Sequence, residues 1–303
     1  MAEFEFLKNK KTGKWVILAP RRSHRTNVGN VAQICPFCPG QEAENTETYR
    51  IGGSKGDINW QIRALLNKYP FTPHQELIIH SPDHHKNFDE LPATQVELIL
   101  KTYRNRFNAN RKHGQVYFFH NRGHESGESL PHPHTQIAVV PYHVKLDITP
   151  LDTGIYHKKF KLFNKAYDKE KMLETDQFFV FCPGTSEWPD EVWIAPRVDG
   201  CDFGQITDNQ VIDLAFVLPQ IIRIFNHRHG AEFPFNFYIY PGRNWYLRLI
   251  PRLKILGGFE LGTNIIVNSQ KPQETFAFIK EHFWKPDAEK IKAEQTAEYL
   301  RSV

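Results

Sequence analysis

Apolar residues recur along the chain with two distinct periods. Over residues 93–112, Val96, Ile99, Leu100, Tyr103 and Phe107 fall three or four apart, which is one face of an amphipathic helix. Gly114 ends that pattern. Residues 208–229 repeat it through Val211, Leu214, Ala215, Leu218, Ile222 and Phe225. The remaining apolar runs are short and β-branched or aromatic, and they predict strands: within 12–19 after a turn, then at 76–80, 116–119, 137–140, 191–196, 235–240 and 245–251. Strand, turn, helix, strand, loop, strand thus occurs twice in one order. The predicted fold is α+β: two tandem half-domains from an internal duplication, each an antiparallel sheet with a packed helix, on the scale of about 100 residues per copy. Residues 1–145 make the first half, 176–303 the second, and the lysine-rich stretch 146–175 a connector or insertion. Residues 254–262, with paired glycines, read as a loop, and 273–301 as a charged helical tail.

Composition acts mainly by exclusion. A chain of 303 residues with 40% hydrophobic and 24% charged residues is an ordinary globular sequence, long enough for two cores. Its net charge of +4 suits a phosphorylated small molecule, and with no concentrated Lys/Arg run it argues against a nucleic-acid partner. Met1 to Phe6 have no basic-then-apolar leader pattern, and no apolar run approaches the roughly 18 residues of a membrane span, so no membrane association is expected. Four cysteines are too few for a disulfide framework in a chain of this size. A cytoplasmic location is the expectation.

The candidate chemistry gathers in residues 121–136, a polar, glycine-containing loop followed by His132-Pro133-His134-Thr135-Gln136. Side chains two apart on a strand share a face, so His132, His134 and Gln136 point one way and Thr135 and Ile137 the other. Pro133 cannot donate to a ladder, which places it at an edge or where the chain enters the strand. Two imidazoles and an amide beside the backbone N–H groups of a glycine loop can hold a phosphate and attack it. Half-exposed surface histidines are the competing reading, in a chain that has 15. The Cys35-Pro36-Phe37-Cys38 hairpin is half of a zinc site, a redox pair or two buried thiols; His84 and His132 would complete a four-ligand Cys2His2 set. Arg22 and Arg25 form a basic cluster after a strand, either solvated surface or phosphate ligands. Glu260, in the glycine-paired segment, belongs to a plain turn or to a sugar clamp. The second copy lacks the histidines: where the first has His132 to Gln136, it has Asn244, Trp245, Tyr246, Leu247 and Arg248. Arginine stays protonated and cannot ligate a metal, so no second metal is expected there.

These segments together resemble the galactose-1-phosphate uridylyltransferases, a branch of the histidine-triad superfamily. The likeness runs nearly end to end through Thr12-Gly13-Lys14-Trp15-Val16 with Arg22 and Arg25, Cys35 to Cys38, Asn67-Lys68-Tyr69-Pro70, Ser81-Pro82-Asp83-His84, Asn121 to Gln136, and Gly258-Phe259-Glu260. The resemblance implies transfer of a nucleoside monophosphate from a nucleotide sugar to a sugar phosphate through a nucleotidyl-histidine. It puts His134 on the nucleophile and Gln136, Ser129, Asn121, Arg22 and Arg25 on the phosphate side. It puts Asn67 in the nucleoside pocket, and Glu260 on a hexose hydroxyl across the interface of a homodimer. It makes Cys35, Cys38, His84 and His132 the ligands of one structural zinc ion per chain. Backbone N–H groups around Gly127 would share the phosphoryl charge with Gln136. Other members carry a second His-x-His where this chain has Asn244 and Arg248. The Gly257 to Thr263 segment is closer to relatives that act as ADP-glucose phosphorylases, with phosphate as acceptor, which leaves uridine and adenine nucleotides both open. A zinc-stabilised nucleotide-binding module without turnover and a nucleotide hydrolase are the readings from other classes.

Overall fold

The computed structural model describes residues 4–24, 34–151, 155 and 172–285. Arg25, most of the lysine-rich stretch and the end of the expected tail helix lie outside the described residues. Twelve strands and four α-helices are present among those described. Strands β1 (Glu5–Lys8) and β2 (Trp15–Leu18) pair antiparallel as a separate ribbon.

All other strands join one ten-stranded sheet. They are β3 (Glu47–Ile51), β4 (Ile62–Leu66), β5 (His74–Ile79), β6 (Gln115–Arg122), β7 (His134–Val140), β8 (Leu173–Glu174), β9 (Phe178–Phe181), β10 (Val192–Pro196), β11 (Phe235–Ile239) and β12 (Leu247–Pro251). Their spatial order is β3-β4-β5-β7-β6-β11-β12-β10-β9-β8. Counted inward from either edge, the order is first, second, third, fifth, fourth, so each half of the sheet is wound the same way. Helix α1 (Ala93–Asn110) lies between β5 and β6 in the chain, and α2 (Asp208–His229) between β10 and β11. The repeated order of elements read from the sequence is the order found. The two halves meet where β6 runs antiparallel to β11, with Phe119 opposite Tyr238.

The helices cover one face. Val96, Ile99, Leu100, Tyr103 and Phe107 of α1 and Val211, Leu214, Leu218, Ile222 and Phe225 of α2 are buried in one core with Phe118, Ile137, Phe235 and Phe237 from the sheet. The opposite, open face carries the candidate chemistry; it is covered only in part, around Phe37, Trp60, Leu65 and Ile79 in the first half and Phe181, Trp193 and Tyr246 in the second. Local signals fix the helix ends. The Thr207 hydroxyl accepts the Gln210 N–H at 3.2 Å, and the Gln210 side chain accepts the Thr207 N–H at 2.9 Å, a reciprocal cap for α2. After α1 the chain reverses through Gly114 at φ 155°. Helix α4 (Pro272–His282) opens the tail, and α3 (Gly258–Thr263) stands where a loop was expected. No helix among the described residues is long and apolar enough to cross a membrane.

Gly114 is held against β7: a Cβ there would collide with the carbonyl oxygen and carbon of Val140. Both are backbone atoms and cannot swing away. Gly114→Ala should therefore lower the unfolding free energy by about 1–3 kcal/mol, seen as a lower denaturant midpoint. An unchanged midpoint would show that the β6 start is not pinned in this way.

Candidate active site and metal centre

Strand β7 lies in the interior of the sheet, between β5 and β6. Pro133 immediately precedes it, so the proline marks where the chain enters the strand rather than a sheet edge. His134 and Gln136 share the open face, as their spacing predicts. They line a cleft of about 270 Å³ with Asn67, Ser129, Phe37, Leu77 and Tyr69. Thr135 points the other way into the helix-covered core, fully buried.

The histidines of the His-x-His pair have different surroundings. The Nδ1–H of His134 donates to the carbonyl oxygen of His132 at 2.9 Å. In the neutral ring that bond fixes the tautomer and leaves the Nε2 lone pair as the basic atom. Phe37 meets the ring edge-on, 5.3 Å between centroids. His132 turns its Nδ1 to the cysteines and donates its Nε2–H to the Ser81 carbonyl at 2.9 Å.

Cys35, Cys38, His84 and His132 converge, with their four ligand atoms within 4.8 Å of one another. The Cys38 sulfur is 3.2 Å from His84 Nδ1 and 3.6 Å from His132 Nδ1, and the Cys35 sulfur is 3.7 Å from His132 Nδ1. A tetrahedral ion with bonds of about 2.3 Å to sulfur and about 2.0 Å to nitrogen sets ligand–ligand edges of roughly 3.3–3.8 Å. Three of the six edges, 3.2, 3.6 and 3.7 Å, lie in or next to that range, so these residues suit such an ion. Without a cation the arrangement is costly: burial and the neighbouring Cys35 push the Cys38 thiol up to about 11, and burial pushes His132 down to about 4. A bound cation favours thiolate and neutral imidazole together.

The other expected residues are placed as follows. The Asn67 Oδ1 accepts the Tyr69 N–H at 2.8 Å, so its amide NH2 is the end left to offer to the cleft. Arg22 donates to the Tyr69 carbonyl at 3.1 Å and stands over the Phe71 ring, against the cleft wall. Asn121, next to the cleft on β6, donates to the Gly127 carbonyl at 3.4 Å. Gly127 is left-handed, φ 81°, and closes a turn in which the N–H groups of Ser126, Gly127 and Glu128 donate to carbonyls of the same loop. Glu260 does not line the cleft; its carboxylate accepts the Gly257 N–H at 3.0 Å at the start of α3.

In the second half, Arg248 lies on the same open face, in the transverse row Gln136–Phe119–Tyr238–Arg248 and three strand spacings, about 14 Å, from Gln136. It is buried between carboxylates, its NH2 2.9 Å from both Glu187 and Glu191, and donates to the Tyr238 hydroxyl at 3.1 Å. Asn244 is a left-handed turn residue whose Oδ1 accepts the Gly200 N–H at 2.6 Å.

Sequence reasoning missed several groups around the site. Gln75, on β5, donates from Nε2 to Gln136 Oε1 at 3.2 Å. Asn236, from β11, donates to Asn121 Oδ1 at 2.8 Å and is itself held by Arg252 at 3.0 Å, so the second half reaches the first-half loop through two side chains. Behind β7, His80, Tyr103, His120 and Thr135 form a buried polar cluster, and His120 Nδ1 donates to the His134 carbonyl at 2.9 Å. Polar residues on the inward phase of otherwise apolar strands, His120 between Phe118 and Arg122 for example, were the available signal.

The fold and this site define the class: an α+β protein with an imidazole held in one tautomer in a cleft, beside four residues that could hold a metal ion. Residues 41–142 match the family model "galactose-1-phosphate uridyl transferase, N-terminal domain". An ADP-glucose phosphorylase of Arabidopsis thaliana is 25% identical, over 91% of this chain and 92% of its own length. A galactose-1-phosphate uridylyltransferase of Thermotoga maritima is 22% identical over 90% of this chain and 96% of its own. The crystal structure of the Arabidopsis ADP-glucose phosphorylase with bound ADP-glucose superposes with a TM-score of 0.69, covering 92% of this chain and 99% of that one. Over nine-tenths of its length the chain is similar to an ADP-glucose phosphorylase and to a galactose-1-phosphate uridylyltransferase.

Two measurements check the site. Cys38→Ala should lose bound metal and stability together, because metal binding and folding are linked; full metal content in that variant would refute the cluster. Burial holds His120 down at about 3 and His80 well below its usual range. Both groups bind protons more readily unfolded. The stability they contribute is therefore present above about 6.5 and lost as pH falls toward 3. His120→Asn, which keeps a donor for the His134 carbonyl, should flatten that fall, and an identical pH slope would contradict the assignment.

Proposed function

We propose that the protein is a nucleotidyltransferase that moves a nucleoside monophosphate from a nucleotide sugar of the UDP-glucose type to a hexose 1-phosphate, through a covalent nucleotidyl-His134. The observation that carries this is the His134 ring itself. Its Nδ1–H is tied to the His132 carbonyl at 2.9 Å, and the ring shares a cleft with Gln136, Ser129 and Asn67. A ring held in one tautomer presents a neutral nucleophile to a phosphate diester, which repels anionic ones.

In the first half-reaction His134 Nε2 bonds to the α-phosphorus, and the bond to the β-phosphate oxygen breaks, releasing the sugar 1-phosphate. Positive charge that develops on the ring is met by the His132 carbonyl through Nδ1–H. Charge on the phosphoryl oxygens is met by the Gln136 amide, with Ser129, Asn121 and Arg22 as further donors. In the second, an oxygen of the acceptor phosphate bonds to phosphorus and the Nε2–P bond breaks. The two steps give ping-pong kinetics. Asn67 serves the nucleoside. Cys35, Cys38, His84 and His132 would hold one structural zinc ion, which would tie His132 to the other three residues.

A second reading keeps the same intermediate but takes ADP-glucose as donor and phosphate as acceptor. It is supported by the Arabidopsis ADP-glucose phosphorylase, which matches this chain over nine-tenths of both lengths. We read the twice-wound sheet as an internal duplication, with residues 1–145 and 176–303 as its halves and 146–175 as the connector. We also propose a homodimer. Leu253, Ile255, Phe259, Leu261, Ile265 and Val267 are exposed on the segment that carries Glu260, an apolar arm suited to covering by a second copy and to delivering Glu260 to that copy's hexose. The four cysteines are unpaired, as in a cytoplasmic protein.

The test is mass spectrometry after incubation with UDP-glucose or ADP-glucose and no acceptor. A uridylyl or adenylyl adduct should map to His134 and disappear in His134→Asn, with metal content unchanged. An adduct on another residue, or one that survives His134→Asn, would overturn the mechanism. The arm that labels decides the nucleotide, and release by hexose 1-phosphate or by phosphate decides the acceptor.

A further inference from the structure

A glutamine amide has two ends of opposite chemistry, and only one is useful to Gln136. Phosphoryl oxygens accept hydrogen bonds, so the NH2 must face the cleft and the carbonyl oxygen must face away. Nothing in the Gln136 side chain itself selects that orientation, since both ends have nearly the same shape.

Gln75 supplies the selection. It lies on β5, which pairs with β7 so that Leu77 is opposite Gln136 and Gln75 opposite Ala138. Gln75 and Gln136 are thus diagonal neighbours on the open face, and Gln75 is only 3% exposed. The backbone N–H of Phe71 can only donate, and it donates to Gln75 Oε1 at 2.8 Å. That fixes which end of Gln75 is the oxygen. The Gln75 NH2 must then point the other way, and it donates to Gln136 Oε1 at 3.2 Å. With its oxygen engaged, Gln136 can turn only its NH2 to the phosphate. The order begins at a main-chain group whose polarity is not in question, so it does not depend on how either amide is drawn.

We propose that Gln75 is a positioning residue for nucleotidyl transfer: through the relay Phe71 N–H to Gln75 to Gln136 it holds the Gln136 amide in the donor orientation, and so governs recognition of the phosphoryl group and not of the nucleoside. This rests on the nucleotidyl-His134 reading. Gln75→Glu keeps the size of the side chain and an acceptor for Phe71 N–H, but its other oxygen can only accept. Gln136 must then rotate, donate to residue 75 and present its own oxygen to the phosphate.

The experiment measures adduct formation from UDP-glucose and ADP-glucose, and the affinities of the matching nucleoside monophosphate and nucleoside, in four proteins: unsubstituted, Gln75→Glu, Gln136→Ala and the double variant. Gln75→Glu should slow adduct formation by about 10²–10³-fold, the usual scale for loss of one oriented donor. It should weaken the monophosphate and leave the nucleoside within about twofold. In the Gln136→Ala background the same change should add little, because the relay has already lost its last member. An undiminished rate in Gln75→Glu overturns the proposal. So does an equal loss in both backgrounds, which marks a through-space effect of the new charge, or an equal weakening of nucleoside and monophosphate, which marks damage to the cleft. Gln75→Met, neutral and of similar size, guards against misfolding: it should slow the step about two- to tenfold with nucleoside binding intact, and no slowing in a folded Gln75→Met counts against the relay. If the unsubstituted protein forms no adduct with either nucleotide sugar, the underlying reading is what fails, and the relay with it.

Discussion

The hydrogen bond from His134 Nδ1 to the carbonyl oxygen of His132 is the contact on which the rest of the site depends. It spans only two residues, yet it joins the two functions of the His-Pro-His segment. The ring of His132 belongs to the metal-type cluster and is braced from behind by the Ser81 carbonyl. Its backbone carbonyl holds the His134 ring. Displacement of His132 would therefore move the acceptor that orients His134. Pro133 helps, since a fixed φ between the two histidines removes one torsion from the geometry. An ion held by these four residues would thus be more than a stability device; it would set the position of a carbonyl oxygen next to the His134 ring.

Around that ring the cleft is lined by amides oriented by other groups. The oxygen of Asn67 is taken by a backbone N–H, that of Asn121 by Asn236, and that of Gln136 by Gln75. Asn67 and Gln136 are left with their NH2, while Asn121 spends one amide hydrogen on the Gly127 carbonyl. A site built from donors reads acceptors, which is what phosphates and the carbonyl or ring-nitrogen edges of bases offer. The second half takes part indirectly, through Asn236, which holds Asn121 and is itself held by Arg252. In that half the corresponding stretch holds Arg248 between Glu187 and Glu191, where the first half has its histidines.

How much of this was legible in the sequence follows from which interactions are local. Helices α1 and α2 and strands β5, β6, β7, β10, β11 and β12 carry uninterrupted apolar periods, and their repeated order could be read directly. Strands β3 and β4 could not. Their period is broken by Glu47, Arg50 and Arg63, which look like surface charges but form a buried ion-pair set, with the Arg63 side chain fully buried. Partners distant in the chain hid them. The cluster of Cys35, Cys38, His84 and His132 was suggested by residue type and convergent placement. The amide relays were not, because a glutamine has no preferred partner until the sheet register brings Gln75 diagonal to Gln136. The glycine loop shows the reverse case: glycine content suggested a cradle of free N–H groups around Gly127, whereas the turn geometry directs those of Ser126, Gly127 and Glu128 into the loop itself.

The antiparallel junction of β6 with β11 has one more effect. In each half the strand next to the junction is the last in the pairing order, so separation would expose a full row of main-chain donors and acceptors on Gln115–Arg122 or Phe235–Ile239. Such a row is a template for another strand. Joined, the halves shield each other's sticky flank, and the sheet ends instead at β3 and at the two-residue β8. The halves of this chain are thus interdependent for solubility as well as for the site: cut between them, each piece would seek a substitute for its lost neighbour, most simply another copy of itself.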